Sequence, residues 1–240
     1  MPAERTASSH PLYLCAPVNA LVEGIYEENI PLAEIKRHGD FGLGTFDDLD
    51  GEMVMLDGDV YQITADGEAH GVADTKHTPF AVVTFFEPTF RVTFEEAMEY
   101  DAFLARLDDL LPSPNLFYAL RIRGRFDLVR ARSVPKQHNY RPLSEAAAEQ
   151  HEFRFEDAEG CLAGFYTPAF MASLNVPGLH LHFLTQDRRR GGHLLECRTR
   201  GVTVEVQMLH TLELSLPMTH DYLTRDFRRD TAADLEAAEK

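Results

Sequence analysis

Short apolar runs separated by turn-forming residues dominate the chain, and their spacing predicts more strand than helix. Residues 53–56 and 60–63 flank Asp57-Gly58-Asp59, a hairpin signal because Asp and Gly accept positive φ. The Asp66-Gly67 turn follows, with a third strand expected over 69–73. Residues 80–86, FAVVTFF, are continuously apolar and rich in branched and aromatic side chains, as expected of a strand buried on both faces. Further strands are expected over 116–120, 122–129 and 202–216. A hairpin is expected with arms 153–155 and 161–166 around Asp157-Ala158-Glu159-Gly160.

Helical periodicity is confined to a few places. Residues 16–37 are helical in tone, with Pro31 opening a second short helix. Residues 93–111 carry the clearest helical pattern. Thr93 and Glu96 have capping-box spacing, and Ala97, Tyr100, Leu104, Leu107 and Leu111 form one apolar stripe that Pro112 and Pro114 terminate. Short helices are expected over 143–151 and 167–175, the latter with Pro168 in its first turn. Residues 1–10 are patternless and read as a disordered tail. Residues 221–240 are charged and helix-prone but carry little apolar surface, so they read as a frayed end. The order of elements predicts an α+β fold with mostly hairpin connections.

Composition changes this picture little. The 240 residues carry a net charge of −16, which argues against a nucleic-acid or anionic-membrane surface. No apolar stretch is long enough to span a bilayer, and the N-terminus lacks a signal-peptide pattern. Cys15, Cys161 and Cys197 are odd in number and widely spaced, which gives no disulfide framework and fits a reducing cytoplasm.

Candidate chemistry centres on residues 178–198, GLHLHFLTQDRRRGGHLLECR. His180 and His182 are two apart and share one face of a strand. A turn through Gly191-Gly192 lets His193 reach that face from the partner strand. Three imidazoles on rigid strands make a transition-metal site with room for water or substrate. From spacing alone, two ordinary polar residues on a strand remain the commoner reading. A cupin-type oxygenase and a closed structural zinc site are the rivals. Cys197, an even step beyond His193, is a possible fourth ligand for the latter. Gly42-Leu43-Gly44 has neither a third glycine at dinucleotide spacing nor a P-loop lysine, so nucleotide binding is discounted. On local text Glu52 is a turn carboxylate, and Arg130, Arg132, Lys136 and Arg141 are solvated or salt-bridged cations.

Four motifs taken together carry a family resemblance: HGDFGLGTFDDLDGEM (38–53), TPFAVVTFFEP (78–88), RSVPKQ (132–137), and VPGLHLHF with GGH (176–193). With these in order, the chain resembles the α-acetolactate decarboxylases from about residue 12 onward. The resemblance implies a cytoplasmic zinc (Zn2+) carboxy-lyase. It would decarboxylate 2-acetolactate (2-hydroxy-2-methyl-3-oxobutanoate), a small 2-hydroxy-3-keto acid, to acetoin and CO2 through a metal-stabilised enediolate, in acetoin and 2,3-butanediol biosynthesis. It implies His180, His182 and His193 as metal ligands and Glu52, Arg132, Thr45 and Glu239 as catalytic residues, with Glu236 competing for the place of Glu239. It further implies a two-part fold of mixed and antiparallel β-sheets with a few flanking helices, a metal site on a β-hairpin, and a homodimer. Residues 11–240 then form one unit, with an N-terminal half of about 11–140 and a C-terminal half of about 141–240. The chain departs from the family pattern at Gln186, where an acid usually precedes the Asp, and at Cys197, where an aromatic is frequent.

Overall fold

Two-residue periodicity builds this molecule, as the first strand already shows: Leu12 and Leu14 face one core, Tyr13 another. The computed structural model describes residues 9–138 and 140–239, so residues 1–8 of the expected N-terminal tail lie outside the described residues. The strands are β1 (Leu12–Leu14), β2 (Ile30–Pro31), β3 (Phe41–Thr45), β4 (Glu52–Leu56), β5 (Asp59–Ile63), β6 (Ala69–Gly71), β7 (His77–Thr78), β8 (Ala81–Thr84), β9 (Phe90–Met98), β10 (Phe117–Ser133), β11 (His151–Thr167), β12 (Gly178–Thr185), β13 (Gly191–Leu209) and β14 (Leu212–Leu214). The helices are α1 (Val18–Val22), α2 (Leu32–Ile35), α3 (Tyr100–Leu110), α4 (Leu143–Ala147), α5 (His220–Thr224) and α6 (Ala232–Glu239).

A seven-stranded mixed sheet runs β14-β1-β8-β3-β4-β5-β6, with β14 parallel to β1 and the other pairs antiparallel. A five-stranded antiparallel sheet runs β10-β11-β12-β13-β9, and β10 also pairs with β13, so four of its strands form a closed cycle. One core lies between the sheets: Leu43, Val54 and Val82 of the first meet Ala163, Phe165 and Leu184 of the second. Another fills the space beneath α3, with Phe103 and Leu107 packed on the second sheet. The expected α+β class with mixed and antiparallel sheets and a few helices holds.

Several expected elements differ. Residues 93–98 belong to strand β9, and α3 starts only at Tyr100, so Thr93 and Glu96 cap nothing. In β9 the half-buried or buried Phe90, Val92 and Phe94 alternate with outward Arg91, Thr93 and Glu95, and the strand pairs with β13 from Val206 to Thr199. Tertiary pairing overrode the helical pattern. The segments 116–120 and 122–129 are one 17-residue strand, β10. The hairpin expected at 157–160 is the middle of β11, which pairs along β10 from Tyr166 to His151. Residues 16–37 hold the short helices α1 and α2 with the two-residue strand β2 between them, 143–151 shorten to α4, and 167–175 to a single turn at Ala169–Met171. The C-terminal end is docked: Leu235 and Ala238 of α6 are buried in the inter-sheet core.

Gly164 shows how tightly β11 and β12 approach. A Cβ added there would lie 1.9 Å from the His180 carbonyl oxygen. Gly164→Ala is expected to push β12 aside and destabilise the protein by about 1–3 kcal/mol. Thermal unfolding checks this, and wild-type stability would show that β12 shifts freely.

Candidate metal centre and active site

Strand phase brings the polar residues together. His180 and His182 alternate with Leu181 and Phe183, which occupy the core beneath α3, so both imidazoles face the first sheet. His193 sits directly opposite His182 in the ladder, and Arg132 directly opposite His193. Arg132 faces the same way because the ladder is irregular at Asp127. Phe126 and Val129, three apart, therefore share the core beneath α3, and the phase of β10 is reversed by the time it reaches Arg132. On the first sheet, Glu52 keeps step with Val54, and Thr45 with Leu43, both inter-sheet core residues.

The three histidines are buried, at 8%, 1% and 4% exposure for His180, His182 and His193. His180 Nε2 lies 3.2 Å from His182 Nε2 and 3.2 Å from His193 Nδ1. Three ligands of a tetrahedral zinc at ordinary Zn–N lengths have nitrogens roughly 3.3 Å apart, so the spacing fits such an ion. Hydrogen bonds to backbone carbonyls fix two of the tautomers. His182 Nδ1 donates to the Met53 carbonyl at 2.8 Å, leaving Nε2 as a lone pair; His193 Nε2 donates to the Glu239 carbonyl at 3.3 Å, leaving Nδ1. Burial drives His180 down to about 3 and holds His182 and His193 well below the usual range, with Arg132 adding to all three. All three are therefore neutral, and the lone pairs of His182 Nε2 and His193 Nδ1 converge on His180 Nε2. Among the described residues this is the one group of three or more such side chains placed to hold a metal.

Two carboxylates flank the triad. Glu52 Oε2 is 3.6 Å from His182 Nε2, and Glu239 Oε2 is 3.5 Å from His180 Nε2. Burial pushes Glu52 up to about 7 against the pull of Arg132, with Glu239 adding to the rise. Burial also pushes Glu239 up to about 7, again against Arg132. Arg132 donates from Nη1 to Glu52 Oε1 at 3.1 Å and from Nη2 to the Ala238 carbonyl at 2.7 Å, while its Nε is buried without a hydrogen-bond partner among the described residues. A cavity of about 40 Å³ lies among these groups. Thr45 lines it, but its hydroxyl donates to the Gly51 carbonyl at 2.7 Å, so it braces the loop before Glu52. Glu236 lines a different, outer cavity.

Cys197 is not with the triad. Leu195 is an extra residue on β13, since Arg130 and Ala131 pair with Glu196 and Leu194. This bulge turns Cys197 into the core beneath α3 beside Leu194. Sequence reasoning also missed the carbonyls of Met53, Ala238 and Glu239, because backbone acceptors leave no residue-type signal. It missed Leu21, Leu143 and Ala147 too, which give the small cavity an apolar wall from α1 and α4.

A family model described as alpha-acetolactate decarboxylase matches residues 12–229, a span that ends before α6. The chain is 40% identical over 231 residues to the alpha-acetolactate decarboxylase of Methylococcus capsulatus, covering 96% of this chain and 89% of that one. It is 42% identical over 240 residues to the alpha-acetolactate decarboxylase of Methanosarcina mazei, covering 97% and 81%. The crystal structure of alpha-acetolactate decarboxylase from Bacillus subtilis strain 168 superposes with a TM-score of 0.93 at 36% identity, covering 95% of this chain and 99% of that one.

His182→Ala removes one converging nitrogen and leaves the Met53 carbonyl unpaired, which costs about 1–3 kcal/mol. The variant is expected to lose bound metal by elemental analysis while remaining folded. Full metal retention would remove His182 from the ligand set.

Proposed function

The chain belongs to the alpha-acetolactate decarboxylase family and is a carboxy-lyase, and on that premise we propose that it converts 2-acetolactate to acetoin and CO2 with zinc as its metal. The observation that carries the reading is the convergence of three neutral imidazole nitrogens beside the buried Arg132–Glu52 pair. His180, His182 and His193 would hold the ion. When bound, it supplies Lewis acidity toward the substrate's ketone oxygen without removing its own charge through anionic ligands.

The rest is work for the chain's own side chains. The bond between C2 and the carboxylate breaks, CO2 leaves, and the electron pair moves to the ketone oxygen to give an enediolate. A proton returned to C2 then completes acetoin. Arg132 carries a buried Nε with no hydrogen-bond partner among the described residues and so offers a donor to the substrate's carboxylate or to the enediolate. Arginine is too weak an acid to deliver the proton. Glu52 is engaged by the guanidinium and orients it, whereas the Glu239 side chain makes no hydrogen bond among the described residues. We therefore assign proton delivery to Glu239. Thr45 supports the Gly51–Glu52 turn. The core shared between the sheets supports residues 11–240 acting as one unit. The homodimer, a cytoplasmic setting and a role in acetoin and 2,3-butanediol formation remain part of this proposal. Two observations accord with that setting: the three cysteines are free, and no helix among the described residues is long and apolar enough to cross a membrane.

Purified zinc-loaded protein is expected to produce acetoin from 2-acetolactate in a colorimetric assay and to stop when a chelator removes the metal. Absence of acetoin from the loaded protein refutes the reading. Glu239→Gln is expected to lower turnover about 100-fold, the scale of a lost general acid, with metal content retained. Unchanged turnover would take Glu239 out of the reaction.

A further inference from the structure

A second cavity of about 480 Å³ adjoins the small one and shares Val176, His180, His193 and Glu239 with it. The two linings differ in chemistry. Glu52, Arg132 and Thr45 border only the inner cavity. The outer one is walled mainly by aliphatic side chains, among them Ala172, Leu179, Leu181, Leu194, Leu195 and Leu235. The bulge on β13 contributes to this wall, because it places Leu194 and Leu195 as neighbours on the same cavity. Helix α6 partitions the space, with Ala238 on the inner cavity, Ala232 and Leu235 on the outer, and Glu239 on both.

We propose that the outer cavity is an alkyl pocket, and that the enzyme accepts 2-hydroxy-3-oxo acids whose C2 substituent is an unbranched chain as long as butyl. The proposal rests on the decarboxylase reading and concerns the substrate class of that same site. Every oxygen of such a substrate needs the polar groups of the inner cavity. Glu52, Arg132 and the three histidines line that cavity, whereas the outer wall is mainly aliphatic. The carbon chain needs no polar partner, and the aliphatic space begins at the histidines that the two cavities share. The bond broken, the CO2 released and the proton returned to C2 are those of the methyl substrate, and the product is the hydroxyketone with the longer chain. Each methylene buried there would strengthen binding about fourfold.

Two measurements test this on the full-length zinc-loaded enzyme. The first compares kcat/KM for the 2-methyl and 2-butyl substrates in the wild type and in Ala172→Trp, a filler at a half-buried wall position. The wild type is expected to turn over both. The variant is expected to lose roughly tenfold or more on the butyl substrate relative to the methyl one. The second is calorimetric binding of unreactive 2-hydroxyalkanoates, from 2-hydroxypropanoate to 2-hydroxyhexanoate. Affinity should rise with chain length in the wild type and become flat in the variant. Leu195→Phe, a second filler from β13, repeats both measurements if Ala172→Trp fails to fold. No turnover of the butyl substrate, equal slowing of both substrates, or affinity independent of chain length would each overturn the alkyl pocket. Failure of the methyl substrate as well would instead overturn the decarboxylase reading, and the binding series would then judge the pocket alone.

Discussion

The hydrogen bond from His182 Nδ1 to the Met53 carbonyl is the contact on which the rest of the site depends. It crosses from the five-stranded sheet to the seven-stranded one and so sets the spacing of the two layers where the polar groups lie. It also selects one tautomer and thereby presents the Nε2 lone pair to the centre. Met53 points its own side chain to the far core, so the interaction uses only backbone, and the adjacent Glu52 faces the histidines by alternation. One bond therefore positions a ligand, a carboxylate and the sheet interface together.

Burying so many ionisable groups requires compensation. Glu52, Arg132, His180, His182 and His193 are each less than a tenth exposed. The histidines avoid the desolvation penalty by staying neutral, and Arg132 offsets its charge against Glu52 and a helix carbonyl. Glu239 lies near the same guanidinium without a hydrogen bond to it, and both carboxyls are pushed upward by burial. His180 Nδ1 and Arg132 Nε have no hydrogen-bond partner among the described residues. A divalent cation among the three nitrogens would reverse the penalty on the carboxylates and satisfy the converging lone pairs, which is why the donor set suits a metal better than a proton.

How much of this was legible in the sequence follows from the range of the forces involved. The hairpin at Asp57-Gly58 was readable because its turn is local: Asp57 and Gly58 take φ of 53° and 83°, and residues supplying that geometry are few. The His180–His182–His193 hairpin was readable from the polar stretch between its arms, although the left-handed residue of its turn is Arg188 and the expected Gly191 and Gly192 lie in β13. Long-range pairing was not. Gly160 marked a turn by composition, yet β10 offered an unbroken edge to pair against and β11 ran straight through. The bulges at Asp127 and Leu195 carry no residue signature, but they decide that Arg132 faces the metal group and that Cys197 does not. Glu52, Arg132 and Thr45 came into view through family motifs. Local text gave Glu52 only as a turn carboxylate and Arg132 only as a solvated or salt-bridged cation, and it gave nothing for Thr45.

The C-terminal helix is the clearest case of structure that local sequence does not encode. An isolated eight-residue helix is unstable in water, and α6 has little apolar surface beyond Leu235 and Ala238. Its order comes from docking. Those two side chains enter the core beside α4, and the Thr231 hydroxyl donates to Asn19 Oδ1 in α1. Its last two carbonyls accept from Arg132 and His193, so the ordinary need of a helix C-terminus for donors is met by residues of the site itself. The coupling runs both ways. The helix needs Arg132 and His193 to finish its last turn, and the triad needs the helix to fix the His193 tautomer and bring Glu239 within 3.5 Å of His180 Nε2. A segment with no apolar pattern of its own is thus held by the same side chains whose chemistry it completes.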